Sequence, residues 1–431
     1  MSKKQSISNG ANQFRKDFPI LATKINGKPL VYLDNAATAH KPQQVLDAVN
    51  EFYTTYNANI HRGIHTLSQK ATEAVDDARE IMRRFIGAER SSEVLFTYGT
   101  TFSINFVAYA WAERFLKSGD EIVLSVMEHH ANTVPWLELQ KRKRIKLSFV
   151  PLTKNFELDY DAMRRMVSKK TKLISLAHIS NVLGTENDIP RIVSMARRVG
   201  AKVLIDAAQS VAREKIEVNK WNVDFFAFSG HKMYAPTGSG VLYVKKDILK
   251  TMPPFLGGGG AIIEVTQRSV TYRETPDKFE AGTPHIAGNI GLGAAATYIM
   301  KYGIATMKKS EMDVARYAYD KLSHVSGVRL FCHARTHGVL SFTMEGVHPH
   351  DIAEILNTHG VAIRAGFHCA MPLHTHLKTP ATARISLACY NTKDEIDVFI
   401  KGLKDVQNIF KQTSSRPTKS SSARQRAEGS R

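Results

Sequence analysis

The first group in this sequence that could do chemistry is a lysine at the end of an apolar run. Ser229-Gly230-His231-Lys232 closes the run 224–228, whose aromatic residues predict a buried strand. Apolar surroundings disfavour the ammonium form of a lysine and leave a nucleophilic amine. This position therefore indicates that Lys232 forms a Schiff base, although a lysine considered alone is more often a solvated side chain on a loop.

A carboxylate closes a second apolar run upstream. The run 202–205 leads into Asp206, and Ala207-Ala208-Gln209 follow it. Enzymes that use pyridoxal phosphate place an imine lysine beside an aspartate that keeps the pyridine nitrogen protonated, so that the ring can act as an electron sink. The 26 positions from Asp206 to Lys232 leave room for one connection and one further strand.

The two motifs together, D-x-A-Q and S-G-H-K, resemble a recurrent pair in the class V aminotransferase family, which has fold type I. The resemblance implies pyridoxal 5'-phosphate as cofactor. It also implies an α/β fold with a mostly parallel seven-stranded sheet between helices and a smaller α+β C-terminal domain. The alternation of strands and helices from 93 to 230 predicts the same kind of sheet.

Candidate polar residues follow the predicted strands, and ligands of parallel sheets gather at the strands' carboxyl ends. Gly99-Thr100-Thr101 predicts a phosphate site at a helix start, where unpaired N–H groups and the helix dipole favour an anion. The same turn could be a simple N-cap. The residues placed after strands are Thr100, His129, Asn181, Asp206 and Lys232.

The resemblance assigns cofactor contacts residue by residue. In E-H-H-A-N, His129 would stack on the pyridine ring and could move protons, while Asn181 would meet the cofactor oxygen and the substrate. Thr283 of E-x-G-T-P would reach the phosphate of a neighbouring subunit, which implies a homodimer with shared active sites. The expected cofactor-binding residues are Thr100, Thr101, His129, Asn181, Asp206, Gln209, Ser229, His231, Lys232 and Thr283.

A second chemical centre is the stretch 364–372, R-A-G-F-H-C-A-M-P. A cysteine in such a loop beside histidine and arginine suits a thiolate nucleophile, because nearby positive charge lowers a thiol pKa. Taken alone, a cysteine such as Cys369 is slightly more often inert than catalytic. We expect Cys332 and Cys389 to be inert because their surroundings are apolar. The loop is similar to R-x-G-H-H-C-A of group II, SUF-type cysteine desulfurases, with Phe367 in place of the first histidine.

The segment 384–392 resembles the R-x-S-L-x-x-Y-N-T strand of the same branch. The resemblance implies that Arg384 pairs with the substrate carboxylate, for which a planar guanidinium is well suited. Arg364 would assist, and Ala36 in the D-x-A-A segment would lie beside the same carboxylate. The resemblance extends over nearly all of residues 14–410.

This branch converts L-cysteine to L-alanine and leaves a persulfide on its loop cysteine, here Cys369. The persulfide sulfur would pass to a SufE-like or SufU-like carrier for iron–sulfur cluster assembly. Selenocysteine lyase, acting on L-selenocysteine, and cysteine sulfinate desulfinase are alternatives on the same scaffold. A class V aminotransferase or a kynureninase is disfavoured, since neither chemistry needs a loop cysteine.

Composition limits the other classes of function. The net charge of +19 would attract nucleic acid without specificity, but no base-reading motif is present, so we expect no specific nucleic-acid partner. Three cysteines without a CxxC pair argue against a disulfide framework and against a structural metal site. With no long apolar run and no secretory signal, a cytoplasmic protein without membrane contact is expected.

The chain divides, by prediction, into four segments. These are an N-terminal segment 1–30, a large cofactor-binding domain 31–289, a small domain 290–412 that carries the cysteine loop, and a basic tail 413–431 that we expect to be disordered.

Overall fold

The computed structural model describes residues 13–61 and 63–414, with the side chains of 412–414 excepted. The predicted tail lies outside this range except for 413 and 414, which end the last helix. The α-helices are Gln43–Glu51, Thr66–Ile86, Thr100–Phe106, Glu113–Phe115, Val134–Lys143, Tyr160–Met166, Ile189–Val199, Val218–Trp221, Lys246–Thr251, Ile286–Tyr302, Ile304–Ser323, Pro349–Thr358, Met371–His376 and Lys393–Ser414.

The largest sheet has seven strands in the order β4-β10-β9-β8-β7-β5-β6. Only β10 runs antiparallel to its neighbours, so the predicted mostly parallel seven-stranded sheet is confirmed. Its strands are β4 (Val94–Thr97), β5 (Glu121–Ser125), β6 (Lys146–Val150), β7 (Thr171–Ala177), β8 (Lys202–Asp206), β9 (Phe225–Ser229) and β10 (Gly240–Val244).

Burial explains why these runs form central strands. Every residue of β4, β5, β9 and β10 is buried, as expected for a sheet that is covered on both faces by helices. Two separate hydrophobic clusters contain side chains that alternate along the strands, for example Phe226 in one cluster and Phe225 in the other. The sheet is therefore a rigid layer whose carboxyl edge can position polar side chains.

The helix that follows β4 differs in detail from the prediction. From its sequence the segment from Thr100 through Leu116 is expected to form one regular α-helix. In the structure the α-helical turns Thr100–Phe106 continue as a wider π-helical stretch, Val107–Ala112, before Glu113–Phe115. All residues of this stretch except Tyr109 are buried. The helical start at Thr100, which matters for the site, lies where the sequence placed it.

A smaller α+β unit contains a four-stranded antiparallel sheet in the order β13-β14-β17-β16. The strands are β13 (Val328–Leu330), β14 (Val339–Met344), β16 (Arg364–Gly366) and β17 (Thr382–Ser386). The N-terminal strand β3 (Val31–Tyr32) pairs with β15 (Val361–Ala362) beside this sheet and shares its hydrophobic cluster.

The predicted domain boundary at 289/290 falls inside the helix Ile286–Tyr302. That helix packs with Thr66–Ile86, and Gly293 lies against Ala78 so closely that a Cβ would come within 2.9 Å of the alanine Cβ. The division into four segments stays a prediction.

Two further pairs complete the strands: β1 (Lys24–Ile25) with β2 (Lys28–Pro29), and β11 (Ile262–Val265) with β12 (Val270–Tyr272). The second pair is a hairpin that follows the glycine run 257–260. Among the residues that the structure describes, no helix is both long enough and apolar enough to cross a membrane.

Candidate active site

The candidate site is a cavity of about 330 Å³ where the carboxyl ends of β4, β7, β8 and β9 meet the cysteine loop. All of the residues proposed from the sequence except Thr283 line it. They are Ala36, Thr100, Thr101, His129, Asn181, Asp206, Gln209, Ser229, His231, Lys232, Arg364, Cys369 and Arg384. The cavity also contacts Ala37, Ala131, Ala177, Ile179, Ala208 and His368.

Lys232 and Asp206 face this cavity from neighbouring strands. Lys232 ends a short 3-10 turn after β9, and burial lowers the pKa of its ammonium to about 8, with the negative charge of Asp206 opposing that shift. Asp206 ends β8, where burial raises its pKa while Oδ1 accepts a hydrogen bond of 2.9 Å from the amide of Ala208. The pair therefore provides a desolvated amine and a buried acid on adjacent strand ends.

The predicted phosphate site is a cluster of small donors. The hydroxyl of Ser229 accepts a hydrogen bond of 2.8 Å from the amide of Thr100 and lies 2.8 Å from the Thr100 hydroxyl. Gly99 has φ of 121°, and a Cβ there would lie 3.0 Å from Oγ of Ser229. A glycine is needed because both the backbone conformation and the close approach exclude a side chain.

The histidines at this edge are held neutral. Nδ1 of His129 accepts a hydrogen bond of 3.0 Å from the amide of Ala131, and burial lowers the pKa of His129 to about 3. Burial also lowers the pKa of His231 to about 4. An uncharged imidazole can stack on an aromatic ring without adding positive charge beside the lysine.

Glu128 is a buried member of the site that the sequence analysis did not single out. Its carboxyl group receives hydrogen bonds from Ser125 (2.5 Å), the amide of Asn132 (2.7 Å) and the backbone of Ala177 (2.9 Å). Burial raises the pKa of Glu128 to about 8. The E-H-H-A-N motif thus contributes a buried network behind His129. Glu128 and Asn132, the first and last residues of this motif, were the sequence signal from which the network could have been predicted.

The two arginines assigned to the substrate share one aspartate. Asp34 accepts hydrogen bonds from Nε of Arg364 (3.0 Å to Oδ2) and from Nη2 of Arg384 (3.1 Å to Oδ1). Nη1 of Arg384 donates to the carbonyl of Asn181 at 2.9 Å. Within the part of the chain that the structure describes, Nε of Arg384 is buried without a hydrogen-bond partner. That donor is available to a ligand carboxylate.

The cysteine loop follows β16 and has an unusual backbone. His368 and Cys369 have φ of 51° and 56°, the left-handed region that residues other than glycine adopt at a cost. Cys369 is exposed, whereas His368 is buried and burial lowers its pKa to about 2. From the sequence, His368 is expected to place positive charge beside the thiol. The structure makes it neutral, because its imidazole lies inside the protein against Thr382.

The remaining predicted residues connect the site to its surroundings. Nε2 of Gln209 donates to the carbonyl of Ala36 at 2.8 Å, and the amide of Ala36 donates to Oγ of Ser386 at 2.8 Å. Thr283 is exposed and does not line the cavity of its own chain, so its expected contact with a neighbouring subunit stays a prediction. Phe367, the departure from the usual loop motif, is 44% exposed.

The other two cysteines are free and buried. Burial raises the pKa of Cys332 to about 12 and also raises that of Cys389. Both thiols therefore stay protonated at neutral pH, as expected for core residues.

A mostly parallel α/β sheet with a desolvated lysine, a buried aspartate and a cluster of small donors at one edge defines the class of fold used by pyridoxal-phosphate enzymes. The chain belongs to the class V aminotransferase family, whose model (Aminotransferase class-V) matches residues 31–399.

Curated relatives resemble the chain over almost its whole length. A probable cysteine desulfurase of Halalkalibacterium halodurans is 46% identical over 400 residues, which cover 93% of this chain and 98% of the relative. A cysteine desulfurase of Salmonella agona is 44% identical over 397 residues, 92% of this chain and 98% of the relative.

The fold of the chain also resembles that of a solved protein. The crystal structure of the cysteine desulfurase CsdA from Escherichia coli, in an S-sulfonic acid form, aligns with a TM-score of 0.87 and 38% identity. The alignment covers 93% of this chain and 98% of CsdA. The predicted fold class is therefore confirmed.

Proposed function

We propose that this chain is a pyridoxal-phosphate-dependent cysteine desulfurase that converts L-cysteine to L-alanine and carries the sulfur as a persulfide on Cys369. The observation that carries the proposal is that Cys369 and Lys232 line one cavity together with Arg384. An aminotransferase needs the lysine and the arginine but has no use for an exposed thiol at the same cavity. The relatives named cysteine desulfurase support the same activity.

The residues present fit pyridoxal phosphate by the chemistry of their donors. Thr100 and Ser229 would hold its phosphate, Asp206 its ring nitrogen, and Lys232 its aldehyde carbon, while His129 would cover the ring face. When bound, the cofactor supplies an electron sink for negative charge that develops at the substrate Cα.

Substrate positioning depends on the arginine pair. Arg384 would bind the α-carboxylate of L-cysteine through Nε, which has no hydrogen-bond partner among the described residues, while Asp34 holds its Nη2. The unprotonated amine of Lys232, favoured by its pKa of about 8, would take the Cα proton. A preorganised carboxylate clamp would orient the substrate sulfur towards the thiol loop.

The transfer of sulfur from L-cysteine to Cys369 needs no added oxidant or reductant. The thiolate of Cys369 attacks the substrate sulfur, so that an S–S bond forms as the substrate's C–S bond breaks. The electron pair of the broken bond stays with the carbon skeleton, which takes up protons and leaves as L-alanine. One thiol and one L-cysteine therefore give one persulfide and one L-alanine.

Transfer to an acceptor, dimerisation and location belong to the same proposal. Cys369 is exposed, which supports delivery of its sulfur to a SufE-like or SufU-like carrier for iron–sulfur cluster assembly. Thr283 is exposed outside the cavity, which supports a homodimer in which it reaches the other subunit's phosphate. Three free cysteines support a reducing compartment, the cytoplasm.

The proposal is tested by incubating the cofactor-loaded protein with L-cysteine and measuring both intact mass and released alanine. We expect a mass increase of one sulfur atom and alanine in the wild type. Cys369→Ser should lose both, whereas the matched controls Cys332→Ser and Cys389→Ser should keep both because those thiols are buried.

Two results would contradict the proposal. Folded, cofactor-loaded wild-type protein that forms neither alanine nor persulfide is not a cysteine desulfurase. Turnover of L-selenocysteine or cysteine sulfinate by such a protein, unchanged in Cys369→Ser, would point instead to the lyase or desulfinase activity.

A further inference from the structure

The second histidine of E-H-H-A-N contacts the cysteine loop and not the cavity. The backbone amide of His130 donates a hydrogen bond of 2.7 Å to the carbonyl of Cys369. Its imidazole Nε2 accepts a hydrogen bond of 3.0 Å from the amide of Met371. One residue at the large sheet's edge therefore holds the loop at two points, the carbonyl of Cys369 and the amide two residues after it.

The Met371 amide is a group that needs such a partner. Met371 begins the short helix Met371–His376, and the first N–H groups of a helix have no partner within it. Burial lowers the pKa of His130, so its ring is neutral near pH 7 and Nε2 can accept a hydrogen bond. A side chain 241 positions away in the sequence thus completes the start of this helix.

The loop itself gives a reason for the restraint. Two successive residues, His368 and Cys369, have positive φ, a conformation that a free loop of non-glycine residues leaves readily. A third bond, from Nδ2 of Asn181 to the carbonyl of His368 at 2.7 Å, restrains the same segment. The exposed thiol is therefore fixed by its backbone and not by burial of its side chain.

We propose that His130 is a positioning residue for sulfur transfer, which holds the strained Cys369 loop in its reactive geometry through the hydrogen bond from Met371 to the imidazole. The inference rests on the proposed desulfurase activity. It adds a role for a residue that is not among those lining the cavity.

The test compares His130→Ala, which removes the acceptor, with His130→Gln, whose amide oxygen can replace Nε2. The matched control is His324→Ala, since His324 is exposed and its imidazole bonds to the Asp320 carbonyl within its own helix. Each protein is studied in its cofactor-loaded form, with visible absorbance and thermal unfolding as checks of loading and folding.

Hydrogen exchange of the peptide 366–372 and single-turnover persulfide formation are the two readouts. In His130→Ala we expect the Met371 amide to exchange about fivefold faster, the factor that corresponds to the net contribution of one hydrogen bond. Persulfide formation should slow by a similar factor with an unchanged KM for L-cysteine. His130→Gln should restore most of both values, and His324→Ala should match the wild type.

Each other result overturns the proposal. Unchanged exchange in His130→Ala would show that the imidazole does not restrain the loop. Faster exchange with an unchanged persulfide rate would show that the restraint does not serve sulfur transfer, and a failed rescue by His130→Gln would exclude the acceptor role. If the wild type forms no persulfide at all, the desulfurase function fails, while the exchange data still decide whether the imidazole holds the loop.

Discussion

The carboxylate of Asp34 accepts a hydrogen bond of 3.1 Å from Nη2 of Arg384, although the two residues are 350 positions apart in the chain. The same carboxylate pairs with Nη2 of Arg364 at 2.9 Å. One acidic side chain thus holds both guanidinium groups that would receive a substrate carboxylate. The three groups carry one net positive charge, which a single carboxylate neutralises.

Replacing Asp34 by asparagine should weaken substrate binding. The variant removes the charge that aligns Arg364 and Arg384, and hydrogen bonds to charged groups contribute about 1.5–3 kcal/mol. We expect the KM for L-cysteine to rise at least about tenfold, with a smaller change in kcat, in steady-state assays of alanine release.

The control for Asp34→Asn is Asp224→Asn. Asp224 is another aspartate paired with two cations, Arg197 at 2.8 Å and Lys202 at 3.3 Å. It directly precedes β9 and so lies at the amino ends of the strands, away from the cavity. Its variant should lose stability and keep the wild-type KM. Equal KM values for Asp34→Asn and the wild type would show that Asp34 does not align the arginines.

The lowered pKa of Lys232 predicts how cofactor loading depends on pH. Only the unprotonated amine adds to an aldehyde, and burial brings the pKa of this lysine from 10.5 to about 8. Loading of cofactor-free protein should therefore become faster as pH rises and reach half its maximum near pH 8. Borohydride reduction followed by peptide mass spectrometry measures the cofactor attached to Lys232.

Lys41 is the matched control for this loading experiment, because burial also lowers its pKa to about 8. Its Nζ donates to the carbonyl of Ala39 at 2.6 Å, and it does not line the cavity. Lys41→Arg should load normally and Lys232→Arg should not load. If Lys232→Arg loaded normally and Lys41→Arg did not, the cofactor would be attached to Lys41 and not to Lys232.

Glu128 should make stability fall as pH rises. Burial raises its folded-state pKa from 4.5 to about 8, so between these values the unfolded state has released a proton that the folded state retains. Glu128→Gln keeps the hydrogen-bonding shape and cannot ionise. As pH rises from about 4.5 to about 8, we expect the free energy of unfolding of Glu128→Gln, measured with urea, to increase relative to that of the wild type. If the free energies of unfolding of the two proteins change equally with pH, Glu128 does not retain a proton in the folded state.

His337 should also make stability fall as pH rises, but in a higher pH range. Burial alone would lower its pKa, but ion pairs with Glu186 (2.8 Å) and Glu214 (3.1 Å) raise it to about 9. The imidazolium joins the loop before β14 to segments of the large sheet. The ligand atoms of Glu186, Glu214 and His337 lie within 4.8 Å of one another, so the same three groups could hold a metal ion in place of the proton.

His337→Gln tests this ion pair. Relative to the variant, the wild type should be more stable by about 2 to 3 kcal/mol at neutral pH, because its charged form is favoured in the folded state. The advantage should be fully present below about pH 6.5 and disappear as pH rises through about 9. A constant difference in the free energy of unfolding across that range would exclude the imidazolium pair.

The central sheet and most of the cavity could be predicted from local patterns. Apolar runs of strand length end at Asp206 and at Ser229 just before Lys232, and parallel strands bring their carboxyl ends to the same edge whatever the details of packing. Residue type then indicates the chemistry, since a lysine and an aspartate at neighbouring strand ends have few structural reasons to be there. Cys369 was found through its motif, because a single cysteine has no periodicity to reveal it.

Tertiary structure alone decided the partners and the charge states. Asp34 meets Arg384, and His130 meets Met371, across 350 and 241 positions, and no local pattern encodes a contact between segments so far apart. His368 looked like a positive neighbour of the thiol, yet its imidazole is neutral because folding buries it. Sequence determines which groups reach the edge of the sheet. Burial, which depends on the whole fold, determines which of those groups keep their charge.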